Sequence, residues 1–327
     1  MEQKVLRISA WVIAGALALR LLAGINLGHA LQFTLSPEVA GWMLFLQTGR
    51  VIRPALLEVP DPIPETRPAE PTEPILPDLP VFAPDLADDI VINSSFTFSA
   101  DLPGLISQAL NWDLTKEGPR VLIVHTHGSE SFSPATDYVP SSPYHTLDTD
   151  HNMISVGAYL TKKLEAAGIS VLHDTTMHDK LSYNAAYNNS RISIQAYLEA
   201  YPTIQLVLDL HRDAYEDANG NQGAQTVFSN GTAIAPLMFV VGTDYGGLEH
   251  PQWQDNLALA LKLQTRLEEI CPGICRNLNL RTQRYNQDLS AGAILVEMGS
   301  SGNTRQEVLR AADVLARAII YLAKGSR

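Results

Sequence analysis

Three apolar runs that each end abruptly in polar chemistry dominate the pattern along the chain. They are Val121-Leu122-Ile123-Val124, Ile204 to Leu210, and Ala293 to Val296. Short apolar runs of this kind predict strands buried on both faces, as in a parallel sheet. Between them the spacing changes to that of helices. Met153 to Ala167 carries Ile154, Val156, Tyr159, Leu160 and Leu164 at helical intervals, with Gly168 as the stop. Ile169 to Leu172 predicts a further strand, and Asn188 to Tyr201 a helix closed by Pro202. Leu237 to Val241 is another apolar run and Trp253 to Ile270 another helix. A final helix follows Asn303-Thr304, with Leu309, Val314, Leu315 and Ile319 on its buried side. Strands alternating with helices predict an α/β fold: a mostly parallel twisted sheet with helices on both faces.

The pattern also divides the chain. Residues Ile8 to Leu27 form a mostly apolar stretch preceded by Lys4 and Arg7. As a helix it would span about 30 Å, one hydrocarbon thickness. The basic residues at its amino end predict a single-pass cell-membrane anchor with the rest of the protein extracytoplasmic. A cleaved signal peptide, ending near Gly28-His29-Ala30, is the competing reading and gives the same compartment. Ten prolines between Pro54 and Pro84, interleaved with Asp and Glu, predict an extended spacer. The expected organisation is a transmembrane anchor over residues 1–30, a proline-rich linker over 31–88 and a catalytic domain over 89–327.

Composition narrows the function. A hydrophobic content of 46% permits a sizeable core. The net charge of −12, without a basic stripe, argues against nucleic acid as a partner. No P-loop, dinucleotide fingerprint or serine-elbow motif is present. Cys271 and Cys275 are the only cysteines, too few for a four-thiolate zinc site. They read as a turn feature, although a local disulfide is permitted outside the cytoplasm.

The chemistry collects where the strands end. In open α/β sheets ligands bind just beyond the carboxyl ends of the strands. The first run leads into His125-Thr126-His127-Gly128-Ser129-Glu130, the second into His211-Arg212-Asp213, the third into Glu297. Neutral imidazoles with a hard carboxylate suit Zn2+. His127, Glu130 and His211 are therefore the expected ligands, with Glu297 as general base. His125 lies two residues before His127, and only one of them is taken as a ligand: His127, which sits nearer the loop. His125 is held as a supporting residue or substitute ligand. Asp148 or Asp150 could supply the carboxylate ligand in place of Glu130. Arg212, Arg191 and His250, with His173, His178 and Trp253, are candidates for lining a substrate groove, with capping and packing as the alternative. A single histidine at a strand end is usually a hydrogen-bonded structural residue; three strand ends carrying such groups make a site.

The order of these motifs resembles the stage II sporulation protein P family, related to zinc-dependent N-acetylmuramoyl-L-alanine amidases. The resemblance rests on Val121 to His127 with Glu130, His173-Asp174-Thr175-Thr176, Asp209 to Ala214 and Val240-Val241-Gly242-Thr243. It continues through His250-Pro251-Gln252-Trp253, Tyr285 to Ser290 and Leu295 to Gly299. It implies a zinc amidase-like fold and hydrolysis of peptidoglycan at the amide joining muramic acid to the stem peptide, during engulfment. It also implies a lytic transglycosylase and a membrane protein as partners. His127 and His211 match the family's metal histidines and Glu297 its catalytic glutamate. The related amidases take their third ligand from farther downstream, where this chain has Asp148, Asp150 and His151. Cleavage of crosslinked stem peptides, or a wall-binding scaffold without activity, are the alternative roles.

Overall fold

The computed structural model describes residues 79–326 other than 136, 141–143, 218 and 220. The apolar stretch Ile8 to Leu27 and most of the proline-rich segment lie outside them. Among the described residues, no helix is long and apolar enough to cross a membrane.

The strands are β1 (Ile92–Ser94), β2 (Val121–Val124), β3 (Val171–His173), β4 (Leu206–Asp213) and β5 (Val227–Ser229). They continue with β6 (Thr232–Ile234), β7 (Leu237–Gly242), β8 (Leu278–Arg281) and β9 (Ala293–Ser300). The helices are α1 (Leu102–Ser107), α2 (Met153–Ala166), α3 (Ala186–Ala200), α4 (Trp253–Ile270) and α5 (Arg305–Tyr321). Local signals set several boundaries. Asn152 caps α2 through its side chain, and Gly168 takes φ +81 beyond the helix end. Thr304 and Glu307 form a reciprocal capping box at the start of α5.

Seven strands form one sheet in the order β1-β8-β7-β9-β4-β2-β3. The neighbours β9-β4-β2-β3 are all parallel, and so are β1-β8-β7. The two blocks meet at β7 and β9, which are antiparallel. The sheet is thus mixed. The cause is the connection: the chain passes from β4 to β7 through the β5–β6 hairpin, without a crossover helix. Only a crossover returns a strand in the same direction.

Alternation along each strand assigns its two faces. Leu208, Val296, Phe239 and Leu280 point to the face covered by α2, α4 and α5, where they join Leu160, Leu257 and Leu315 in the main core. On the opposite face, Leu122, Val124, Val207 and Ala293 pack under Ile194 of α3. Farther along that face, Met238, Val240 and Leu295 form a small patch against Tyr285. Helices therefore lie on both faces, but the second face is covered only at its β2–β4 end among the described residues.

The core also reaches back towards the amino terminus. Phe82 and Ala87, in the stretch that sequence assigns to the linker, are buried in it. The fully buried Lys262 of α4 fixes this region. Its Nζ donates to the Ile106 carbonyl at 2.5 Å and lies 4.5 Å from the centre of the Phe82 ring.

Burial pulls the Lys262 ammonium down to about 8. A free lysine titrates near 10.4, so between these values the unfolded chain binds more protons than the folded one. Stability then rises with pH. The Lys262 penalty is full below pH 8 and is relieved as the pH climbs through about 10. Denaturant titrations should show the native protein gaining stability relative to Lys262→Met over this window. A constant difference would mean that Lys262 is not desolvated.

Candidate active site

The pairing of β4 with β9 places His211 directly beside Glu297. In parallel strands, paired residues point to the same face, so both side chains emerge on the face that α3 only partly covers. Past this pair the register shifts, and Asp213 partners Ser300. The extra residue in β9 is absorbed at Gly299, at φ +68, where a Cβ would press against Ala235 and Asn303. Bulges of this kind collect beside active sites, where they re-aim side chains.

His127 and Glu130 come from the turn after β2. The Glu130 amide donates to the His127 carbonyl at 3.1 Å, and this tight turn brings the two side chains to one place. Glu130 Oε1 is 3.6 Å from His127 Nδ1, and its Oε2 is 3.5 Å from His211 Nδ1. The two rings cross at 77° with centres 5.2 Å apart. All three residues are buried. His127, Glu130 and His211 are the group of metal-competent side chains found among the described residues. One donor atom from each residue can be chosen so that all three lie within 4.8 Å of one another, and two imidazoles with a carboxylate are a donor set compatible with a metal ion such as zinc.

The electrostatics of the pocket favour a cation. Burial works against the Glu130 carboxylate, but Arg212 and the contacts to His127 and His211 outweigh it and hold its pKa well below the usual range. Burial likewise opposes a charge on His211, yet Asp209 and Glu130 overcome it and hold the ring well above its ordinary value. Asp209 Oδ1 lies 3.1 Å from His211 Nε2, although that nitrogen has no hydrogen bond of good geometry. The Asp209 carboxylate instead accepts from the Thr126 amide at 2.8 Å and the Thr126 hydroxyl at 2.6 Å. Burial, with Glu130 and Asp213, pushes Glu297 up to about 8 against the pull of His211 and Arg212. Its Oε2 is shut away from solvent without a hydrogen-bond partner.

Buried Arg212 is a brace for the ligand turn. Its amide donates to Glu130 Oε2 at 3.0 Å, while its guanidinium donates to the Ser131 and Tyr144 carbonyls at 3.0 and 2.9 Å. It fixes Glu130, a supporting position beside the ligand group. His125 is on the other face: β2 ends at Val124 and the chain turns through His127, so the alternation that would set residues two apart on one side does not reach His127. It contacts His173 through the two Nε2 atoms at 2.9 Å and the Leu210 carbonyl at 3.2 Å. A Cβ on Gly157 of α2 would collide with both rings, so this pair packs against α2 and is separate from the ligand group.

Arg191 and His250 are also elsewhere. Arg191 makes a two-pronged pair with Asp288, at 2.9 and 2.7 Å, that ties α3 to the turn Gln287–Leu289. His250 is buried just ahead of α4, near Asp288 and Arg284. Asp148 pairs with His151 at 2.8 Å on the surface and contributes nothing to the ligand group. His178 pairs with Asp174 at 3.1 Å, and Trp253 is buried at the head of α4. Cys271 and Cys275 are free thiols.

Two aromatic residues complete the site without having been singled out by sequence. Tyr183 stacks on His127, with ring centres 3.9 Å apart at 26°, and Tyr187 meets His127 edge-on at 5.5 Å. Asp209 was missed as a partner of His211 too. Its spacing two residues earlier on the same strand face was the available signal. Beside Glu297 a cavity of 260 Å³ opens, bordered by Tyr187, Tyr285, Arg276 and Arg281.

Comparison with known proteins places this architecture. The chain is 28% identical over 207 residues to the stage II sporulation protein P of Bacillus subtilis (strain 168), covering 60% of this chain and 49% of that protein. It thus spans about half the length of that relative. Among solved structures it is similar to the N-acetylmuramoyl-L-alanine amidase AmiC2 of Nostoc punctiforme, at 14% identity and a TM-score of 0.38, covering 63% of this chain and 97% of that one. The CwlD amidase from Clostridioides difficile, solved in complex with the GerS lipoprotein, is similar at 15% identity and a TM-score of 0.39, covering 62% and 95%. The sequence model of Stage II sporulation protein P matches residues 76–320, and the chain belongs to that family.

Proposed function

We propose that this protein is a zinc-dependent peptidoglycan hydrolase of sporulation. It cleaves the amide between N-acetylmuramic acid and the L-alanine of the stem peptide during septal thinning and engulfment. The observation that carries this reading is the meeting of His127, Glu130 and His211 within 4.8 Å of one another, with Glu297 in register beside His211. Family membership and the relatives' printed amidase activity support the substrate class. We further propose that residues 8–27 anchor the chain in the cell membrane with the catalytic domain outside. A lytic transglycosylase and a membrane protein of the engulfment machinery would act beside it.

The residues divide the work. His127, Glu130 and His211 would hold the zinc, which when bound supplies a Lewis acid that polarises a carbonyl and acidifies water. Arg212 keeps Glu130 charged and aimed, through its amide at 3.0 Å. Asp209 supports His211 from the strand beneath it. Glu297, in register beside His211, would take a proton from the attacking water and return it to the departing amine nitrogen. Tyr183, stacked on His127, limits the approach of bulk water from that side.

Two outcomes are expected. Full-length protein should release stem peptides from sacculi, stop after treatment with a chelator and recover on addition of zinc. His127→Ala and His211→Ala should lose the bound zinc seen by elemental analysis. Release that continues in the zinc-free protein would rule out the metal role. Glu297→Gln should keep its zinc while peptide release falls by about a hundredfold to ten-thousandfold. Retention of full activity would remove Glu297 from the chemistry. Mass analysis of the released fragments reads the bond that was cut: fragments that begin inside the stem would replace the amidase reading with an endopeptidase.

A further inference from the structure

The cavity beside Glu297 does not end there. It shares Met238, Arg276 and Asn279 with a larger one of 630 Å³, which also reaches Asn93 and Asn277. Together they run across β7, β8 and β1, over the part of the second sheet face where Met238, Val240 and Leu295 pack against Tyr285. The strands there alternate apolar and polar. In β8, Leu278 and Leu280 enter the core, while Asn279 and Arg281 turn to the opposite face, Asn279 buried with its amide nitrogen 2.7 Å from the Met238 sulfur and Arg281 exposed. Asn93 of β1 follows the same alternation.

The cations of this groove differ. Arg276 is neutralised by Asp213, 2.6 Å away. Arg281 is exposed, and among the described residues no carboxylate or carbonyl accepts from its guanidinium. A protein of net charge −12 thus keeps an unpaired arginine on the lip of its catalytic cleft. Guanidinium geometry matches a carboxylate in two-pronged fashion. The side-chain amides of Asn93 and Asn279 both donate and accept, as a peptide backbone does.

We propose that this helix-free face holds the peptide part of the substrate, extended from Glu297 across β7, β8 and β1, with Arg281 taking one of its free carboxylates. The assignment rests on the peptidoglycan reading above. It makes Arg281 a binding residue that selects stem peptides with an unmodified acid group. The bulky sugar side would then lie towards Tyr183, away from the groove.

The test uses two synthetic muramyl tetrapeptides, one with free carboxylates and one with them converted to carboxamides. Calorimetry on full-length, zinc-loaded Glu297→Gln protein should show the free acid binding more tightly than the amide. Adding Arg281→Gln should weaken the free acid by about tenfold or more and leave the amide unchanged. Arg281→Lys should recover part of the loss. Equal binding of both ligands, equal loss for both on Arg281→Gln, or no binding at all would overturn the assignment. The two readings fail separately. Arg281-dependent binding in a protein whose native form releases nothing from sacculi would keep the groove and discard the hydrolase. Undiminished kcat/KM in the Arg281→Gln single variant would do the reverse.

Discussion

The parallel pairing of β4 with β9 is the constraint on which the rest depends. It sets His211 beside Glu297 in a rigid, hydrogen-bonded register, so the proposed ligand and the proposed proton acceptor are fixed by backbone geometry. Side chains held on central strands lose little further freedom when they bind. The remaining ligands come from a turn, and a turn alone would hold them loosely. Arg212 supplies the missing rigidity, because its amide and guanidinium bind Glu130 and the Ser131 and Tyr144 carbonyls at once. Arg212, the next residue along β4 from His211, is thus the clamp for Glu130.

A second consequence follows from the reversal of direction at β7. In a wholly parallel sheet, crossover helices cover both faces. Here the β5–β6 hairpin replaces a crossover, and Leu237 to Val240 run antiparallel to β9. Met238 and Val240 consequently lie on a face where Tyr285 is their main cover. That gap leaves the cleft beside Glu297 open along the strands. Catalytic group and groove share one sheet face because both follow the same alternation.

Much of the fold was legible in the chain. The runs at Val121, Leu206 and Ile294 are long, apolar and bounded, and they form central strands. The helix over Trp253–Ile270 keeps its expected limits, since helical spacing persists over many turns. Short pieces were not legible. Ile92–Ser94, Leu278–Arg281 and the β5–β6 hairpin have too few residues for any period to emerge. The site divided similarly. His127, Glu130, His211 and Glu297 stand at the ends of strong strands. Arg191, on α3, pairs with Asp288 instead, and His250 is buried just ahead of α4. Polar residues in loops carry no positional constraint that sequence can reveal.

By itself, then, the sequence determined the α/β alternation and the strand ends at which the imidazoles and carboxylates collect. These follow from local periodicity, which every neighbouring residue repeats. Only the tertiary structure decided which strands became neighbours, that β7 would run against β9, that Asp209 and Arg212 would support the ligands, and that Arg281 would stand unpaired beside Glu297. Those outcomes depend on contacts between segments far apart along the chain, such as β1 with β8. Their energies come from shared packing and desolvation, which no single stretch of chain encodes.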